Sequence, residues 1–453
     1  PAMQIDEVVY GNLDRDQIRQ ILADYRAEKE LDYRQLPYST RDFREFVPGP
    51  HEPVLLDNVG RLDPMNIGEY VGRGGYEALN KAVTTMTPEE VIETVKTSGL
   101  RGRGGAGFPT GLKWSFTRPL DATPKYIICN ADEGEPGTIK DRYLMEGDPH
   151  KVLEGLAIAA YAVGASQGFI YCRGEYFLSQ HRLQNAIDQA AAQGFLGDNL
   201  FGTDFSFSVE LRSGFGSYVC GEETALIESL EGKRGFPRLK PPFPGQVGLM
   251  GQPTIVNNVE TLASVPAIIA RGAEWYRGLG TEDTPGTKIY QIIGHVQTPQ
   301  IVEAPVGLTL RELIHTYGGG LREGRSFKMC QTGGASGGLV TAAALDVPLD
   351  FGSLAEIGGL VIFATGGLPV SLLLLPIVRS RLLQPVGVFL PVARQGIGRQ
   401  RGGELAVFAR ARVARVGQAQ HRFADGGFLA QRGQVEADQD VALAAGPHRA
   451  ATA

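Results

Sequence analysis

The sequence predicts an α/β layered core built on a largely parallel sheet, followed by a smaller α+β module. Three observations predict it. Between residues 125 and 211, short apolar runs alternate with helix-period segments, the pattern of strands and crossover helices in layered α/β folds. Ahead of that alternation, residues 99–116 read G-L-R-G-R-G-G-A-G-F-P-T-G-L-K-W-S-F. From Thr287 a second strand–strand–helix–strand series runs to residue 331.

In chain order, residues 1–70 read as a lead-in, with one helix over 16–30 and then a polar, proline-punctuated stretch. Helices follow over 74–85 and 88–98. Thr87 and Glu90 form a capping box there, and Pro88 takes the first helical position, where its missing N–H costs nothing. Residues 125–129 (K-Y-I-I-C) are a buried strand. Asp148 and Pro149 start an apolar-periodic helix that ends near Gly164. A strand over 168–173, a helix over 178–193 and a strand over 205–211 continue the alternation. The second module begins with K-I-Y-Q-I-I-G and a strand over 300–303, then a helix over 309–317 and a strand over 325–331.

Composition narrows the function. The chain has 453 residues, room for several domains, and a net charge of −6, which excludes a general nucleic-acid footprint. The opening P-A-M-Q-I-D-E has neither a basic region nor an apolar core, so no secretory leader is expected. The longest apolar run, 368–378, contains Pro369 and Pro376, and no membrane span is expected. The four cysteines (Cys129, Cys172, Cys220, Cys330) form no C-x-x-C pair. That points to a reducing, cytoplasmic setting, and no metal ligands are assigned.

Five segments carry candidate chemistry. In the glycine stretch, Gly102, Gly104 and Gly107 satisfy G-x-G-x-x-G. The dinucleotide fingerprint needs a strand just upstream, and here a helix precedes. The stretch is either a glycine-rich surface loop or a phosphate cradle with Lys113 as its cation. Phe108, Trp114 and Phe116 offer flat faces for stacking on a heteroaromatic ring.

The second segment, Asn130-Ala131-Asp132-Glu133-Gly134-Glu135-Pro136-Gly137, follows a strand, where α/β folds collect ligands. Its carboxylates suit the hydroxyls of a ribityl chain or ribose; a solvated acidic turn or a magnesium site are the other readings. The third, Gly216-Ser217-Tyr218-Val219-Cys220-Gly221-Glu222-Glu223-Thr224, opens a helix, with helix capping as the plain alternative. The fourth, Lys240-Pro241-Pro242-Phe243, fixes a cation beside an aromatic ring, or is a rigid linker. The fifth, Val256-Asn257-Asn258-Val259-Glu260-Thr261, puts two amides at a helix opening, to cap it or to donate to phosphate.

In order and wording these five segments resemble the NADH-binding flavoprotein subunit of respiratory complex I. They are similar also to the diaphorase subunits of NAD-linked hydrogenases and formate dehydrogenases. The resemblance covers residues 66–359, and the wording of 67–82 is nearer the hydrogenase and formate dehydrogenase types. It implies a Rossmann-like FMN/NADH domain over 71–275 and a β-grasp domain over 276–347. A helical iron–sulfur domain would follow.

It further implies FMN contacts from Gly102, Gly104, Lys113, Asn130, Asp132, Glu133, Gly221, Glu222, Glu223, Asn257 and Asn258. NADH contacts would come from Phe108, Phe116, Glu135, Lys240 and Phe243. The implied chemistry is hydride transfer from NADH to FMN, then single-electron transfer to iron–sulfur centres, with no side chain acting as acid or base. The implied partners are iron–sulfur subunits of a multi-subunit redox complex, which could hold the chain at the inner face of a membrane.

The resemblance stops near Gly359. Residues 361–453 hold 11 Arg and five acidic residues but no Cys, Lys, Met, Asn, Tyr or Trp. The family's [4Fe–4S] cluster is therefore expected without any cysteine ligand in this chain. Residues 348–453 read as a degenerate or frame-shifted remnant of the iron–sulfur domain, the alternative being a divergent basic domain that docks on an acidic partner. Two functions follow: an FMN-dependent NADH dehydrogenase module, or an assembly subunit that keeps the nucleotide fold without passing electrons.

Overall fold

A computed structural model describes residues 51–334 and 337–356, together with the short segments 3–5, 8–10, 16, 19–20 and 369–372. Most of the helix expected over 16–30, and nearly all of the arginine-bearing stretch after Gly359, lie outside the described residues. Strands β1 (Met3–Ile5) and β2 (Val8–Tyr10) form a short antiparallel pair.

The core is a four-stranded, all-parallel sheet of β3 (Tyr126–Ala131), β4 (Gln167–Cys172), β5 (Ser208–Ser213) and β6 (Thr254–Asn258), in the order β5-β4-β3-β6. The chain therefore reverses its winding at β3, which has β4 on one side and β6 on the other. Ligands of open α/β sheets collect beyond the carboxyl ends of strands at such a point. The register sets Cys129 beside Asn257 and Asn130 beside Asn258.

The helix Pro149–Val163 follows β3's acidic turn and a preceding helix, Lys140–Gly147. It is buried along nearly its whole length, and from Gly155 to Val163 its sequence is apolar on every face. Asp148 caps its first turn as expected. Gly155 lets the helix Val259–Arg271 come close: a Cβ at Gly155 would stand 2.0 Å from the Leu262 carbonyl oxygen.

The second sheet runs β10-β9-β11-β7-β8, from β7 (Thr287–Gly294), β8 (Gln300–Pro305), β9 (Met329–Gln331), β10 (Leu339–Thr341) and β11 (Pro369–Leu372). Tyr290, Ile292, Val302, Leu310, Leu313 and Leu349 form its core. The lead-in is tied to this sheet. The buried Glu303 carboxylate accepts from the backbone N–H groups of Val54 (3.0 Å), Leu55 (2.9 Å) and Leu56 (2.9 Å).

Several expectations need correction. The helix expected from residue 74 begins at Glu77, because Tyr76 has φ 65°, left-handed backbone that no helix continues. The expected strand over 325–331 contracts to Met329–Gln331. The expected helix over 309–317 is one α-helical turn, Leu310–Glu312, continued by a π-turn, Leu313–Tyr317. Thr254–Asn258, unassigned in the sequence reading apart from a helix opening, is a buried edge strand of the core sheet.

Candidate functional site at the rim of the parallel sheet

The glycine stretch enters from the helix Pro88–Thr97 and leaves through the helix Thr110–Thr117. Thr87 and Glu90 form the expected capping box. Gly102 N–H donates to the Phe108 carbonyl at 2.9 Å, closing the loop. Gly104 lies so close to β6 that a Cβ there would stand 2.9 Å from Asn258 Cβ. Gly107 has φ 61° and lies under the ring of Phe351, where a Cβ would meet Cζ at 2.1 Å. Glycine is thus required at 104 by close approach and at 107 by backbone and packing together.

A chain of ion pairs joins three of the five segments. Lys113 Nζ lies 3.1 Å from Glu223 Oε2 and donates to the Val256 carbonyl at 2.8 Å. Lys240 Nζ lies 2.9 Å from Glu223 Oε1 and 2.8 Å from Glu222 Oε1. The other Glu222 oxygen caps the helix Glu223–Leu230, accepting from Thr224 N at 2.9 Å and Ala225 N at 3.0 Å. The capping reading thus holds for one Glu222 oxygen, while the other pairs with Lys240. Burial works against the charged form of Glu223, but Lys113 and Lys240 more than offset it and hold its pKa below the ordinary range.

The remaining two segments close the rim. Asn130 Nδ2 donates to the Gly221 carbonyl at 2.9 Å, joining the acidic turn to the double-glutamate helix. Asn257 Oδ1 accepts from Trp114 Nε1 at 2.9 Å, which leaves the amide nitrogen as the donor end. Trp114 is fully buried, so its expected role as a stacking face is corrected: it anchors Asn257. Phe108, Phe116 and Phe243 are 47%, 61% and 56% exposed, so their faces are open to a ring.

The acidic turn is buried rather than solvated. Asp132 is 2% exposed, and its Oδ2 has no hydrogen-bond partner among the described residues. Burial pushes its pKa up to about 6, although Arg173 acts in the other direction. Glu133 accepts from Asp141 N (2.9 Å), Arg142 N (3.2 Å) and the Tyr176 hydroxyl (3.1 Å). Burial, reinforced by Asp141, pushes it up to about 8. Glu135 accepts from the Tyr218 hydroxyl at 2.6 Å. Asn258 caps the helix Val259–Arg271 through Glu260 N (3.0 Å), and its amide also donates to Asp141 Oδ2 at 2.7 Å.

All sixteen residues singled out in the sequence thus lie on segments that meet at one rim. Arg173 and Tyr176, which hold the acidic turn, lie outside the five segments, while Tyr218 and Thr261 lie within the third and fifth with no role assigned from sequence; the Thr261 hydroxyl accepts from Arg103 N at 2.8 Å. None carries a local signal, because each acts across a long sequence separation.

The donor set fits a flavin mononucleotide. Glycine backbone and Lys113 suit a phosphate, while the unpartnered Asp132 oxygen is free to accept from a hydroxyl or N–H. It does not fit an iron–sulfur cluster. All four cysteines are buried free thiols, and no group of three or more potential metal ligands occurs among the described residues. Nor is any helix among them long and apolar enough to cross a membrane.

The chain is similar to known proteins. Residues 95–267 match the Nuo51 FMN-binding domain and residues 289–340 the SLBB domain. An NADH-quinone oxidoreductase subunit of Rhizobium meliloti (strain 1021), designated F 2, is 51% identical over 310 residues, covering 68% of this chain and 74% of the relative. The NADP-reducing hydrogenase subunit HndC of Solidesulfovibrio fructosivorans is 52% identical over 317 residues, covering 70% and 64%. Among solved structures, the air-oxidised NAD+-reducing [NiFe]-hydrogenase superposes with a TM-score of 0.63 at 35% identity, covering 81% of this chain and 59% of that one.

Proposed function

The chain belongs to the family of FMN-binding NADH dehydrogenase subunits found in complex I and in pyridine-nucleotide-linked hydrogenases, and on that premise we propose that its sheet rim binds FMN and NADH for hydride transfer. The observation that carries the reading is the Lys113–Glu223–Lys240–Glu222 chain, which draws a glycine loop, a helix start and a proline loop to one place.

Bound FMN supplies two-electron acceptance and one-electron release. The protein's part is positional. Lys113 and the Gly102–Gly104 backbone would hold the phosphate, with the Asn257 amide donating beside them. Asn130, Asp132 and Glu133 would take the polar edge of the flavin and its ribityl hydroxyls, and Gly221 would allow its close approach. Glu222 and Glu223 would orient both ligands through Lys240. Phe108, Phe116 and Phe243 would stack the adenine of NADH, and Glu135 would accept from a ribose hydroxyl. No side chain is required to move a proton in the hydride step.

The onward acceptor would be an iron–sulfur centre of a partner subunit, since the four cysteines of this sequence are buried free thiols. Through such partners the module could sit at a membrane's inner face. We read the change in vocabulary after Gly359 as a shifted frame of the gene. Resequencing across those codons checks it, and an unbroken frame with the same residues refutes it. The enzyme reading itself is tested by titrating the purified chain with FMN and assaying NADH–ferricyanide reduction. Stoichiometric flavin with activity supports it. A chain that takes no FMN would instead support the assembly-subunit reading.

A further inference from the structure

Behind the glycine loop lies a second group of charges, fully buried. Lys140 Nζ is 2.5 Å from Asp141 Oδ1, 3.0 Å from Glu260 Oε2 and 3.1 Å from Asn258 Oδ1. Lys288 Nζ, from β7, shares the same Glu260 oxygen at 3.2 Å. Arg103 stands between Gly102 and Gly104 with its side chain turned inward and 0% exposed. Its Nη2 donates to the Pro285 carbonyl at 2.8 Å, and its Nε and Nη1 have no hydrogen-bond partner among the described residues.

A buried guanidinium without a carboxylate of its own is costly. Glu260 is a carboxylate that feels its charge, and Glu260 already pairs with Lys140 and Lys288. The surrounding charges do not change that. Asp141 is taken by Lys140, and Arg142 pairs with Glu146 at 2.7 Å. Glu133 touches only backbone N–H groups and the Tyr176 hydroxyl. Burial disfavours the charged form of Glu260, yet Lys288, Lys140 and Arg103 together pull its pKa down to about 2, as expected where cations converge on one anion.

We propose that Arg103 is a positioning residue whose buried positive charge, set directly behind the glycine loop, selects a phosphorylated flavin over an unphosphorylated one. On this proposal Arg103 acts without touching the ligand, its side chain being held against the Pro285 carbonyl. It acts through the loop, whose Gly104 rests on Asn258, and through its field in a region of low dielectric. A unit charge acting across about 10 Å of protein corresponds to roughly a tenfold change in an equilibrium constant. The proposal rests on the flavin reading above and names what makes that site prefer a phosphate.

The test compares FMN with riboflavin on the apoprotein by flavin fluorescence quenching. If the unaltered protein binds neither, the flavin reading itself fails. If it binds FMN, Arg103→Gln should lower the FMN-over-riboflavin ratio roughly tenfold, chiefly by weakening FMN, while Arg103→Lys should largely keep it. Glu260→Gln, which removes the competing anion, should raise the ratio. A merely structural role would weaken both flavins alike in both variants, and an unchanged ratio overturns the proposal. Should the variants not fold, the unaltered protein still decides. A buried charge is screened little, so the preference should persist from about 0.05 to about 0.5 M KCl. Its collapse would assign the preference to the partly exposed Lys113 and overturn the proposal.

Discussion

Two charge constellations flank the glycine loop, and they are built to opposite rules. The outer one, Lys113–Glu223–Lys240–Glu222, is partly exposed, with side-chain accessibilities between 23% and 35%. The inner one, Arg103, Lys140, Asp141, Glu260 and Lys288, is sealed. Water can replace either partner in the outer set, so its ion pairs add little stability and can be exchanged for a ligand's charges. The inner set has no such exchange, and removing one member strands another. The outer charges are therefore suited to touching ligands and the inner ones to holding shape and field.

The sharpest way to break this comparison is to delete an inner carboxylate. Glu260→Ala removes the carboxylate that Lys140 and Lys288 share and should cost about 3–5 kcal/mol of stability in urea denaturation. The outer counterpart, Lys240→Ala, should cost at most about 1 kcal/mol while weakening NADH binding at least about tenfold. Equal stability losses in the two variants would erase the distinction.

Acidity sharpens it further. The folded pKa of Glu260 is held at about 2 against an ordinary 4.5. Its stabilisation is present above pH 4.5 and is lost as pH falls toward 2. Asp132 has the opposite sign: raised from 3.8 to about 6, it subtracts stability as pH climbs through that window. Asp132→Asn should therefore stabilise the apoprotein by about 2 kcal/mol at pH 7.5 and not at pH 3.5, while weakening FMN. A melting series across pH checks both signs. Trp114→Phe, which loses the bond to Asn257, should cost about 1–2 kcal/mol in the same melting series.

How much was legible in the sequence differs between the same two constellations. The outer residues sit in glycine, proline and paired-acid segments whose local wording signals a ligand loop. The helix Pro149–Val163 and strands β3 and β4 were equally plain, since their burial is written in continuous apolar runs. The inner residues were not, because Arg103, Lys140, Glu260 and Lys288 look like ordinary surface charges until the fold brings them together. The β6 strand was obscured by its own ending. Asn257 and Asn258 have poor strand propensity, yet the register with Cys129 and Asn130 decides their conformation. Trp114 read as a stacking face because a buried indole and an exposed one look the same in a glycine-rich stretch.

The claim beneath all of this is that five separated segments form one flavin site, and a crystal structure of the FMN complex tests it most directly. The account requires flavin density within hydrogen-bond reach of Lys113, Asp132 and Asn257, with the Phe108, Phe116 and Phe243 faces left open beside it. Flavin bound elsewhere on the chain, or that rim empty beside a bound flavin, would contradict it.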